Sequence, residues 1–350
     1  MFAELLTAPL LPWQDGSGEA ADIVLESRIR LVRNLKKYVF PGKASAAELQ
    51  AVLTEAKAQV PRLQQLGTGR YEYLELGKLS PAERDLAAAK HFIAPSQPGT
   101  GQGLLLREDG AAEVIVNEGE HFIIQAAAAG AALDTVWRTA LQLDDTLESK
   151  LNFAFRDDFG YLTANPALTG TGLVAGVTLH LPGLVTQKRM QKIVQGITKF
   201  GFSVCGVYCR GNTYIGNIFQ IANQITLGMS EDDVLTQLKK IVTQIVKEER
   251  NCRQQLLERD ENGLRDGVLR SYGILSQAWL MEQEEAIRLL SDLRLGIDLG
   301  IIHERPSVYE ALLFLCETAH LRQSGAGKND DAEDRVRADI IRETLAAYAI

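Results

Sequence analysis

From Ser230 to about Leu257 the chain carries apolar residues at helical spacing, with Val234, Leu238, Ile241 and Ile245 on one stripe. One long amphipathic helix at this place divides the chain into two parts of different character. Upstream, short strand-like runs alternate with helical ones. Downstream of about Asn262 the pattern is almost entirely helical, broken by Gly296, Gly300 and a loop over residues 324–331. The first twenty residues hold Pro9, Pro12, Gly16 and Gly18 and read as an extended arm. We therefore expect an arm over residues 1–21, a mixed domain over 22–255 and a helical domain over 256–350. A chain of 350 residues is long enough for two such domains.

Local signals support this division. Ser45 is a good N-cap with Glu48 three residues on, opening a helix that runs to about Val60 and stops before Pro61. Ser80 followed by Pro81 opens another. Residues 97–103 read as a glycine-rich loop. Residues 104–106 and 113–117 read as strands around a turn at Asp109-Gly110. Residues 131–154 read as a helix, 174–181 as a strand, 187–199 as a helix, and 202–208 with 214–221 as a strand pair.

The net charge of −8 and a pI near 5.3 argue against a nucleic-acid binder. No apolar run reaches the roughly 20 residues of a membrane span. The N-terminus lacks the basic start of a secretory signal. Four scattered cysteines make neither a disulfide framework nor a zinc site, so a cytoplasmic protein with reduced thiols is expected.

Ser27-Arg28-Ile29-Arg30 is the first motif with chemistry in it. Residues two apart on a strand face one side, so Arg28 and Arg30 offer two guanidiniums to phosphate oxygens. The glycines at 99–103 and 170–172 lack the GK[ST] of a P-loop and read as turns.

The run from Ser27 to Leu35 resembles the SSRIRLARNL segment of the McsB-type protein-arginine kinases, which share the catalytic domain of creatine and arginine kinases. Further matches follow in family order. They are the helix from Ser80 to His91, Asn117 to His121 against NEEDH, Gly170-Thr171-Gly172-Leu173, residues 216–228, and residues 270–300. The resemblance spans about residues 22–345. It implies an α+β fold: an antiparallel sheet flanked by helices, of the phosphagen-kinase catalytic type, followed by the helical domain. It also implies transfer of the ATP γ-phosphate, with Mg²⁺, to arginines of protein substrates. Ser27, Arg28, Arg30 and His91 are the implied nucleotide contacts, and a homodimer is the implied assembly.

Five positions depart from the family pattern. The catalytic Glu of NEEDHLR is Gly119 and its phosphate-gripping Arg is Ile123. In CPTNxGTGLR, Asn165 stands for the Cys and Val174 for the Arg, and in RGIYGEG, over residues 205–211, Cys205 stands for the first Arg. Glu118 remains as a candidate base, with Glu120 beside it, while Lys188, Arg189 and Arg210 lie near the lost positions in sequence. The family's RDxxRA phosphoarginine motif reads Glu333-Asp334-Arg335-Val336-Arg337-Ala338, which keeps Asp334 and Arg337. Three readings stand at this point. One is a catalytically impaired pseudokinase with a regulatory or binding role. Another is an active kinase with relocated groups. The third is a phosphoarginine-binding adaptor for a Clp-type protease.

Overall fold

The computed structural model describes residues 1–95, 101–210, 213–323, 325 and 330–348. Residues 97–100 and most of 324–329 of the two expected loops lie outside the described residues, as does Gly211 of the RGIYGEG match.

The chain opens with a short helix, α1 (Phe2–Thr7), and the first strand, β1 (Val24–Arg33). Helices α2 (Ala46–Lys57) and α3 (Val60–Gln65), strand β2 (Tyr71–Glu75) and helix α4 (Pro81–Ala89) follow. Strands β3 (Gly103–Arg107), β4 (Ala112–Glu118) and β5 (Glu120–Ala129) lead into α5 (Leu133–Glu148). A small hairpin, β6 (Phe155–Arg156) and β7 (Gly160–Tyr161), precedes β8 (Leu173–His180). Then come α6 (Pro182–Thr186), α7 (Met190–Thr198), β9 (Phe202–Arg210) and β10 (Thr213–Asn223). The remainder is helical: α8 (Glu231–Gln277), α9 (Gln283–Asp298), α10 (Ser307–Leu315), α11 (Thr318–Gln323) and α12 (Asp330–Tyr348).

The strands form one eight-stranded sheet in the order β2-β3-β4-β5-β1-β8-β10-β9, with every neighbouring pair antiparallel. Alternation along the strands splits its side chains between two faces. Ile29, Leu31, Leu105, Ile124, Ala175 and Val177 face the main core under α2, α5 and α8. Leu104, Leu106, Ile115 and Ile123 face the other way, into a smaller core with α1 and α4.

Both expected Ser caps close full capping boxes, Ser45 with Glu48 and Ser80 with Glu83. Pro61 does more than stop a helix: it sits in the first turn of α3, where its missing N–H costs nothing. The arm is not simply extended, because α1 buries Phe2, Leu5 and Leu6. Gly296 does not break the helical pattern. It lies inside α9, where an added Cβ would come within 2.4 Å of Val268, so it serves the close crossing of α8 and α9. The boundary expected at residue 255 falls within α8, which turns at Asp260 (φ −158°, ψ 75°). There the Asp260 side chain accepts from the Gly263 amide at 2.9 Å and caps the second half of the helix.

Candidate active-site cleft

The register of the sheet decides what faces the cleft. Arg30 sits opposite Gln125 on β5 and Val174 on β8, and Gln125 sits opposite Glu113 on β4. One step along, Arg28 lies between Ala127 and Gly176. One further step places Glu26 beside Ala129 and Thr178, with Gln220 and Cys205 beyond. These rows floor a cavity of about 1080 Å³. Its walls come from the arm (Trp13, Gln14), from α4 and from the helical domain (Glu310, Phe314, Glu317, Arg322).

Arg28 and Arg30 thus share a face as their spacing predicts, but their surroundings differ. Arg28 Nε donates to Glu26 Oε1 at 2.5 Å, and its Nη1 lies 3.8 Å from Glu113 Oε1. Burial opposes the charge on Arg28, yet the two carboxylates raise its pKa above the ordinary value. Burial likewise opposes the charge on Glu26, and Arg28 outweighs it, so the carboxyl sits below its usual range. Glu113 is pushed up to about 7 by burial, with Arg28 only partly offsetting it. Gln125 Nε2 donates both to Glu113 and to the His91 carbonyl. Arg30 Nε is buried without a hydrogen-bond partner, and burial lowers its pKa against the pull of Glu118. His91 lines the cleft, and partial burial followed by the nearby Arg28 holds its pKa below the ordinary value.

The other expected positions sort clearly. Ser27 is corrected: it points to the opposite face from Arg28, where its Oγ donates to the Gly130 carbonyl (2.7 Å) and accepts from the Ala132 amide (3.0 Å). It braces the start of α5 and makes no contact with the cleft. Glu118 lines the cleft, accepts from the Ala94 amide at 2.8 Å, and has a pKa raised by burial. Glu120 is removed as a stand-in base. It is buried and accepts from Asn34, the Ala164 amide and the Asn165 amide at 2.5, 2.7 and 3.0 Å. Gly119 turns the hairpin at φ +79°, where a Cβ would meet nothing. Ile123 packs into the smaller core, and Val174 is half-buried beside Arg30. Cys205 lines the cleft as an exposed thiol. Arg189 pairs with Glu248 and Arg210 with Glu284 on the surface, and neither lines the cleft.

The cleft's charges are balanced. Arg28, Arg30, Arg84, Lys90 and Arg322 line it together with Glu26, Asp85, Glu118, Glu310 and Glu317. A triphosphate with its Mg²⁺ does not fit this set, since three contact positions are neutral and Arg28 already holds a carboxylate. Sequence reasoning missed Glu26, although a signal was there: it occupies the first Ser of the SSRIRLARNL pattern.

The expected phosphoarginine pocket is also corrected. Arg337 is 2% exposed, and its Nε and Nη1 are engaged within the helical domain. It donates to the Cys316 carbonyl (3.2 Å), the Met281 carbonyl (2.7 Å) and Asp334 Oδ1 (2.5 Å). Glu333 takes Arg322 at 2.9 Å. Asp334 and Arg337 therefore neutralise each other inside the helical domain.

Comparison with known proteins agrees with the architecture. Residues 52–252 match the model for the ATP:guanido phosphotransferase C-terminal catalytic domain, and residues 261–349 that for the protein-arginine kinase McsB C-terminal domain. The chain is 38% identical over 346 residues to a protein-arginine kinase of Halothermothrix orenii and 39% identical over 345 residues to one of Bacillus cereus. Each alignment covers 98% of both chains. Among solved structures, it superposes on the duplicated taurocyamine kinase of Schistosoma mansoni with a TM-score of 0.60 at 21% identity, over 70% of this chain and 36% of that one. For lombricine kinase the TM-score is 0.58 at 20% identity, over 67% and 68% of the two chains.

Proposed function

Since the chain belongs to the protein-arginine kinase family, we propose that it is a member in which phosphoryl transfer has been lost while the fold is kept, and that it serves as a regulatory or binding subunit. The family reaction needs several cationic donors acting together on the transferring group. It also needs a carboxylate to hold and deprotonate a guanidinium whose free pKa exceeds about 12. The observation that carries the reading is what stands at the family's phosphate and base positions. Ile123, Val174 and Cys205 bring no charge, Gly119 brings no carboxylate, and Arg28 is paired with Glu26. Loss of one such donor costs about 2.7–4 kcal/mol of transition-state stabilisation, and residues acting as a unit fail together.

One observation favours a second reading, an active enzyme with Glu118 as base. Glu118 faces the cleft near Arg30, with a pKa raised by burial. The two readings separate in one experiment. The full chain is incubated in excess with Mg-ATP and an unfolded arginine-containing protein, and phosphoarginine is sought by mass spectrometry without acid. We expect none above a control lacking the chain. Product that disappears in Glu118→Gln establishes the second reading instead.

A further inference from the structure

The two arginines of the cleft floor are not equally available. Arg28 is held by a carboxylate two residues earlier on its own strand, on the same face, so the pair forms whenever β1 forms. Its cross-strand neighbours, Ala127 and Gly176, supply no other cation or hydrogen-bonding side chain. Arg30, by contrast, keeps a buried Nε with no partner.

We infer that Glu26 is a built-in anion that occupies Arg28 and excludes polyphosphate ligands from the cleft. A carboxylate satisfies a guanidinium fork much as a phosphate does. An incoming polyphosphate must either displace Glu26, leaving a half-buried carboxylate unpaired, or share Arg28 with it against like-charge repulsion. Glu113, at 3.8 Å on the other side of Arg28, narrows the second route further. The inference rests on the reading that this cleft no longer transfers phosphate. It goes beyond that reading by naming the residue that bars the ligand and the ligand class that is barred.

The test is calorimetric titration of the full chain with inorganic tripolyphosphate, comparing wild type with Glu26→Ser and Glu26→Gln. The second variant keeps the buried volume, which guards against a packing defect at Ser. Freeing one charge-assisted contact is expected to tighten binding by about ten- to a hundredfold in both. The gain should vanish when Arg28→Ala is added to either. Wild type binding as tightly as the variants overturns the inference, as does the absence of a gain in both variants. Wild-type binding as tight as that of the variants, without phosphoarginine formation, overturns this inference alone, whereas phosphoarginine formation by wild type overturns the functional reading as well.

Discussion

Glu118 and Glu120 flank Gly119 on one hairpin and use their carboxylates differently. Glu118 spends one oxygen on the Ala94 amide and faces the cleft. Glu120 accepts from one side chain and two backbone amides, and so fixes the loop through Asn165 to the sheet. The variant Glu120→Gln places an amide NH₂ among those donors. Its expected cost is about 1–3 kcal/mol of unfolding free energy, read by denaturant titration. A similar loss with Glu118→Gln and none with Glu120→Gln would reverse these roles. The face shared by Arg28 and Arg30 was legible from their spacing alone. Glu26 lies on the same face by the same rule. Glu113 was not legible, because its approach to Arg28 depends on the register of three strands, which no local pattern encodes.

Among the elements, the capped helices were the most readable, since Ser45 and Ser80 with their Glu partners act within four residues of sequence. Strand β5 was not, because its run from Glu120 to Ala129 is buried on both faces over most of its length and shows no alternation. Helix α12 misled for a related reason. An Asp and an Arg three apart mark a shared helix face, but not whether that face meets solvent or another helix. Here it meets the carbonyls at Met281 and Cys316, and the Asp334 carbonyl in turn accepts from the Met281 amide. Arg337→Ala strands a carboxylate and two buried carbonyls. It should destabilise the fold by about 3–5 kcal/mol, measured as a shift in the denaturation midpoint at unchanged slope. A variant as stable as wild type would return Arg337 to the role of a ligand-binding side chain.

At the scale of the whole molecule, the arm, the sheet domain and the helical domain meet at Lys90. Its Nζ donates to the Ala8 carbonyl at 2.5 Å and lies 3.5 Å from the centre of the Phe314 ring. Around it, Phe2, Leu5 and Leu6 of the arm pack with Leu86, Ile115 and Phe314 in one cluster. The prolines of the arm hid this helix from sequence reading, because what stabilises it is a surface assembled from distant parts of the chain. Burial pushes the Lys90 amine down to about 7, while in the unfolded chain it titrates near 10.4. Between those values the unfolded state binds more protons, so this group's contribution to stability rises with pH and is lost as pH falls toward about 7. His320, whose pKa is lowered by burial and then by Lys90, contributes a rise below its ordinary range and so outside that window. General repulsion in a chain of net charge −8 also changes with pH, but it cancels in a difference between variants. Lys90→Met keeps the length of the side chain and removes the amine. Relative to wild type it should be most favourable near pH 6–7 and lose that advantage steadily toward pH 10, followed by thermal or denaturant unfolding across the range. Parallel curves for the two proteins would mean that the amine stays charged in the fold, with the Ala8 carbonyl and the Phe314 ring sufficient to hold the cation.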